Sequence, residues 1–214
     1  IYSLLYKINN IFRRSYMQKI VIASANLGKI KEFQQIFAQY NIEVIPQADL
    51  GVPETEEPFT TFIENSLHKA RHCARVTGLP ALADDSGLCV TVLGGAPGIY
   101  SARYAGEPKS DQANIDKLLH ELRDTQNREA YFYCSLVFVR GSEDPQPIIA
   151  EGIFSGSIAA HSKGHNGHGY DPIFYVTEYN ATAAELEPDV KNKISHRGKA
   201  LNELRNKLIN AKII

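Results

Sequence analysis

The sequence is short of the residues that usually announce a metal or redox centre: 214 positions hold no tryptophan, one methionine and three cysteines. Cys73, Cys89 and Cys134 stand far apart, form no Cys-x-x-Cys pair and are odd in number. Neither a disulfide framework nor a thiolate zinc site is therefore expected, and reduced thiols in a cytoplasmic protein are. Net charge is also lacking, since 23 basic side chains face 24 acidic ones. That balance removes the broad basic surface of a bulk nucleic-acid binder, so no nucleic-acid partner is expected. No apolar run approaches the roughly 18 residues of a membrane span, which argues against a membrane partner. Disorder is disfavoured in turn, because 43% hydrophobic residues at a net charge of −1 suffice for a core.

Residues 1–16 (IYSLLYKINNIFRRSY) carry three basic side chains and no acidic one. They read either as an acid-free targeting segment or as sequence upstream of a start at Met17. The second is favoured, because a signal-type apolar block with a cleavage site is missing. Residues 1–16 are thus expected to be an N-terminal extension, with the folded unit beginning near Met17.

From there the hydrophobic pattern alternates between strand-like and helix-like stretches. Residues 19–24 (KIVIAS) form a β-branched run, broken by a polar turn before Ile30, Phe33, Ile36 and Phe37 recur at helical spacing. Residues 43–45 suggest a second strand. Thr61 and Glu64 read as a capping box opening a helix to about Val76, which Gly78 and Pro80 stop. Residues 81–83 and 88–93 read as two strands flanking a turn at Asp84-Asp85-Ser86-Gly87. A helix is expected over 111–123, long strands over 131–139 and 148–158, and an apolar run over 173–176. Ser195 caps a last helix with Ala200, Leu201, Leu204 and Leu208 on one face. Strands mixed with helices throughout, with a meander at 131–158, predict an α/β fold with a mixed sheet.

Polar and glycine residues concentrate in four clusters at strand ends and helix starts, where α/β folds place ligands. The first is Ser24-Ala25-Asn26-Leu27-Gly28-Lys29. A glycine, a lysine and a helix N-terminus can hold phosphate, although the leading glycine and the magnesium-binding hydroxyl of a Walker A loop are absent. An ordinary turn with a solvated Lys29–Glu32 pair is the plainer reading. The second cluster, Asp84-Asp85-Ser86-Gly87, offers hard oxygen ligands for magnesium or a general base, or else simply satisfies a turn. Strand alternation lets one aspartate reach a given pocket. Arg103, soon after, is a candidate phosphate or structural anchor. In the third, residues 164–171, glycines let backbone approach a flat ligand while His168 and Tyr170 can stack on it and Asp171 can accept from it. The fourth holds Lys191, Lys193, His196 and Arg197, a donor set for an anion or a keto oxygen. Together they describe a nucleoside triphosphate hydrolase better than a binding module.

These motifs also carry a resemblance. SANLGKIKE (24–32), TFIENSLHKA (61–70), ADDSGLCVTVLGGAPGIYSARYAG (83–106), GHGYDPIF (167–174) and SHRGKAL (195–201) resemble the inosine/xanthosine triphosphate pyrophosphatase family, in order, from about Met17 to Leu208. The resemblance implies a single two-lobed domain over 17–214, with an elongated mixed sheet and flanking helices around a central nucleotide cleft. It implies magnesium-dependent hydrolysis of ITP, dITP and XTP to the monophosphate and pyrophosphate, in a homodimer. It assigns triphosphate contacts to Ser24, Ala25, Asn26, Leu27, Gly28 and Lys29. Asp85 becomes the catalytic acid/base and a magnesium ligand, Ser86 a substrate contact, and Glu56 a second metal ligand. His168, Gly169, Tyr170, Asp171, Lys191, His196 and Arg197 would surround the base. Remaining alternatives are a pyrophosphatase with another modified-base preference and a non-catalytic nucleotide binder. A phosphotransferase lacks its signature here.

Overall fold

A computed structural model describes residues 19–214. The extension expected at 1–16 and the start at Met17 lie outside the described residues. The apolar runs read from the sequence become strands β1 (Lys19–Ala23), β2 (Glu43–Pro46), β3 (Ala81–Val90), β4 (Glu129–Val139), β5 (Ile148–Ile158), β6 (Phe174–Val176) and β7 (Ala181–Thr182). They form one seven-stranded sheet in the order β2-β1-β3-β4-β5-β6-β7. β1 runs parallel to β2 and β3, and every later pair is antiparallel, so the sheet is mixed as expected. The helices are α1 (Leu27–Ala38), α2 (Phe62–Thr77), α3 (Asp111–Glu121), α4 (Pro188–Ile194) and α5 (His196–Asn210).

Alternation along the strands sorts the core into faces. Ile20 and Ile22 pack with Phe33 and Phe37 of α1 and Leu204 and Leu208 of α5. Val21 points the other way and joins Ala70 and Cys73 of α2. A further cluster gathers Leu88 and Val90 with Leu118 of α3, Phe154 and Phe174. β3, β4 and β5 contribute to clusters at both of their ends, and the middle of β3 forms the waist between those clusters. Phe33 and Phe37 are 0% and 1% exposed, and burying each stabilises the α1 contact by roughly 1.5–3 kcal/mol.

The structure corrects one expectation about β3. Asp84 to Gly87 is no turn between two strands. β3 continues from Ala81 to Val90 without a break, and every residue from Ala81 to Val90 has a partner on β4. Turn-forming residues misled the local reading because a long antiparallel partner overrides propensity. Residues 91–93, expected as strand, form a short 3-10 turn instead. Thr61 does cap α2, accepting from Glu64 N at 3.2 Å. The return bond of a full capping box is absent, however, because Glu64 accepts from the Thr61 hydroxyl instead.

Candidate active site

β3 carries the two aspartates at the waist with their side chains on opposite faces. Asp84, 2% exposed, receives Lys29 Nζ at 2.6 Å and the Ser86 hydroxyl at 3.1 Å. Burial pushes its carboxyl up, but Lys29, Arg197 and Lys69 outweigh that and hold it well below the carboxylate range. Asp85 faces α2, where Asn65 Nδ2 lies 3.4 Å and Lys69 Nζ 3.5 Å from its oxygens. Burial raises Asp85 to about 6, with Glu57 and Asp84 adding to the rise against the pull of Lys69 and Asn65. Adjacent carboxyls are thus split, one lowered by its charged neighbours and the other raised by burial.

The loop before α2 completes this side. Asn65 clamps it through both backbone groups of Phe59, at 3.0 and 3.2 Å. Lys69 then takes Glu57 at 2.7 Å. Burial raises the Glu57 carboxyl, and Lys69 and Arg103 reverse that and leave it low. Glu56 is exposed and lines the same polar cavity as Ser24, Ala25, Asn26, Lys29, Lys69 and Asp84. Asp85 is not itself on that lining; it lies behind Lys69, which is.

At the first cluster, Asn26 caps α1. Its Oδ1 accepts from Gly28 N at 2.9 Å and Lys29 N at 3.1 Å. Two of the backbone N–H groups expected to cradle phosphate are therefore already taken, which leaves Lys29, Ser24 and the Asn26 amide group to meet it. Leu27 is 74% exposed, and neither it nor Gly28 lines a cavity. The Lys29–Glu32 pair of the plainer reading does not form; Lys29 turns to Asp84, and Glu32 lies 3.8 Å from Arg197 Nη1.

A second cavity of about 250 Å³ adjoins the first through Asn26 and Lys29, which line both. Phe132 of β4 and His196 stack across its wall, with centroids 4.9 Å apart and planes 15° apart. Ser86, His168, Gly169, Tyr170, Asp171, Lys191 and Arg197 complete it. Burial, then Arg197, Lys29 and Lys191, hold His196 well below the usual imidazole range, so its ring is neutral near pH 7. Buried Nδ1 of His196 and Nε of Arg197 have no hydrogen-bond partner among the described residues. His168 is likewise lowered by burial, with Asp171 opposing and Lys191 and Arg197 assisting.

Two of these lining residues, both expected from the sequence, also have partners within the protein. Asp171 is 3% exposed and accepts from the Lys191 ammonium and from His168 N, so its carboxylate ties the loop to α4 at the cavity it lines. Tyr170 is 4% exposed, sits in the distal core cluster and donates its hydroxyl to Ser101 O at 2.9 Å, so it is anchored within the wall of the cavity it lines. Gly167 is required in this loop: its φ is +81°, and a Cβ there would lie 2.1 Å from Asp171 Oδ2. Sequence reasoning missed Phe132, Asn65, Lys69 and Glu57. The i, i+4 spacing of Asn65 and Lys69 was the available signal, since it puts both on one face of α2.

The Ham1 family model matches residues 20–207, nearly the whole described chain. This chain belongs to the Ham1 family. The dITP/XTP pyrophosphatase of Neisseria meningitidis serogroup B is 55% identical over 192 residues, covering 89% of this chain and 96% of that protein. That of Chromobacterium violaceum is 53% identical over 190 residues, with 89% and 96% covered. Among solved structures, a HAM1 protein from Coxiella burnetii superposes with a TM-score of 0.88 at 47% identity, covering 91% of this chain and 100% of that one. A nucleoside-triphosphatase / dITP/XTP pyrophosphatase from Mycobacterium abscessus gives 0.73 at 41% identity, covering 87% and 97%. The α/β fold and the resemblance both stand.

Proposed function

We propose that this protein hydrolyses deaminated purine nucleoside triphosphates, ITP, dITP and XTP, to the monophosphate and pyrophosphate. The observation that carries this reading is the pair of adjoining cavities: a polar one lined by Lys29, Lys69 and Asp84 opens through Asn26 and Lys29 into an aromatic one with unpartnered ring and guanidinium nitrogens. The names of relatives that match nearly end to end support it.

In the proposed reaction a water oxygen bonds to phosphorus of the α–β anhydride, and the bridging P–O bond breaks with its electron pair on the departing half. The water proton goes to Asp85, whose carboxyl at about 6 is mostly ionised at neutral pH yet basic enough to accept it. Lys29 and Lys69 face the charge that develops on the phosphate oxygens. Asp84 keeps Lys29 in place.

The donor set fits magnesium. Glu56 would supply a hard carboxylate oxygen on the polar cavity it shares with Glu54 and Glu57, and Asp85, in contact with Lys69 beside that lining, would supply another. Among the described residues no three His, Cys, Asp or Glu close on one point, in keeping with an ion held by one or two carboxylates and completed by phosphates. When bound, magnesium supplies neutralisation of the polyphosphate charge.

Arg197 and neutral His196 offer donors to the six-keto oxygen of hypoxanthine or xanthine, and adenine would present an amine donor to the same groups. No described helix is long and apolar enough to cross a membrane. A homodimer and a cytoplasmic site of action belong to the same proposal, and three buried free thiols fit a reducing compartment. Asp85→Asn tests the chemistry: turnover of ITP should fall by at least ~100-fold. Turnover within a few-fold of the parent enzyme removes Asp85 from it.

A further inference from the structure

One wall of the polar cavity has no part in the mechanism above. After β3 the chain folds back so closely that a Cβ on Gly87 would lie 2.2 Å from Gly98 O. Ser101 fastens the return: its Oγ accepts from Leu88 N at 2.8 Å and donates to Gly98 O at 2.6 Å. This clamp brings Arg103, the last residue of the Gly98–Arg103 turn, and then Lys109 onto the lining of the polar cavity.

Arg103 is held there without being used up. Its Nη1 lies 3.6 Å from Glu57 Oε2, beyond the roughly 2.7–2.9 Å of a charge-assisted hydrogen bond. Its guanidinium carbon lies 5.3 Å from the centroid of Tyr100, a ring 55% exposed. Among the described residues nothing accepts a good hydrogen bond from it, while Glu57 is satisfied by Lys69 at 2.7 Å. Lys109 is exposed and enters no ion pair among the described residues. A planar fork of N–H donors held only by a loose ion pair on a cavity wall is suited to phosphate oxygens.

The layout of the cavities says which phosphates. Asn26 and Lys29 line both and mark the junction, whereas Arg103 and Lys109 line the polar cavity alone. A triphosphate seated base-first leaves its α-phosphate at the junction and its β- and γ-phosphates beyond it. Glu54, Glu56, Glu57 and Glu107 line the same cavity, so an anion bound there would need a cation such as magnesium to offset them.

We propose that Arg103, assisted by Lys109, grips the pyrophosphate half of the substrate and so forms the site for inorganic pyrophosphate as product. This rests on the triphosphate hydrolysis proposed above. The test is competitive inhibition of ITP hydrolysis, with magnesium, by inorganic pyrophosphate and separately by inosine monophosphate. Arg103→Gln should weaken inhibition by pyrophosphate on the order of 10-fold or more, the loss of a charged hydrogen bond. Inhibition by inosine monophosphate should stay within about twofold, since that ligand ends at the junction. Arg103→Lys should restore part of the loss. Lys109→Gln, on the surface, should shift the pyrophosphate constant in the same direction by a smaller factor, and it decides the matter if Arg103→Gln does not fold. An unchanged pyrophosphate constant overturns the proposal, as does an equal rise in both constants, which would make Arg103 a general scaffold. Failure of the parent enzyme to hydrolyse ITP would instead sink the reading of the whole site.

Discussion

Asp84 and Asp85 are neighbours in sequence, of one chemical type and both buried, yet they hold protons very differently. Period-two alternation separates them: one faces Lys29, with Arg197 adding its charge, and the other a single more distant lysine with Glu57 close by. The pairing DD was legible in the sequence, and so was the rule that one would reach a given pocket. Which charges flank each was not, because Lys69 and Glu57 come from segments remote in the chain. The same holds at the base cavity, where Phe132 is one aromatic among several on β4 and only its register opposite α5 singles it out. Arg197 carries a specific consequence at this scale. Removing its donors by Arg197→Ala should lower the ratio of ITP to ATP turnover by ~10-fold or more, since a site built to pair a keto oxygen discriminates through those donors. An unchanged ratio would mean that the six-position is read elsewhere.

Elements position these residues, and most of them could be read from periodicity. α2 and α5 begin at the caps read from the sequence, Thr61 and Ser195, and α1 at Asn26, read there only as part of a polar turn; each accepts a backbone N–H of the first turn. β3 could not be read in full, because Asp, Asp, Ser and Gly are turn residues by propensity, and ten ladder partners on β4 settle the matter only once the sheet exists. Gly87 is there for the return of the Gly98–Arg103 turn. Gly87→Ala should therefore destabilise by about 1–3 kcal/mol through overpacking, and should also lower turnover by displacing Ser101 and Arg103. A variant with parental melting temperature and activity contradicts that close approach.

The β4–β5 connection has its own anchor. Asp144 accepts from Arg140 N and Nε, both at 2.9 Å, from Arg140 Nη2 at 2.6 Å and from Gln146 N at 3.0 Å. The Arg140 bonds, acting against burial, lower its carboxyl to about 2. A carboxyl depressed on folding adds stability above its unfolded value, and that contribution fades as pH falls through the folded value. Arg140 is half exposed, which discounts the pair, so Asp144→Asn should cost about 1–2 kcal/mol at pH 7. The difference from the parent should shrink between about pH 4 and pH 2. Denaturant melts at both ends of that range check it, and a gap independent of pH would assign the loss to shape rather than charge.

At the scale of the molecule, three packed clusters meet along β3, β4 and β5, and the two cavities share Asn26 and Lys29 at the end of β1 and the start of α1. On the proposed reading a nucleotide spanning the waist would touch β1–α1, β3, the loop before α2, residues 164–171 and the start of α5, which would explain why motifs so scattered in sequence serve one ligand. The order of those motifs was readable; their meeting place was not, since it depends on a sheet whose central pairings join residues far apart in the chain. The proposed function couples base recognition to phosphate chemistry across the waist. The most direct test of that coupling is pyrophosphate release from dITP, ITP, XTP, GTP and ATP, measured with magnesium and again with EDTA. Magnesium-dependent release from the deaminated purines at least ~100-fold above GTP and ATP, abolished by EDTA, is the expected result. Equal release from all of them, or release that persists in EDTA, would contradict it.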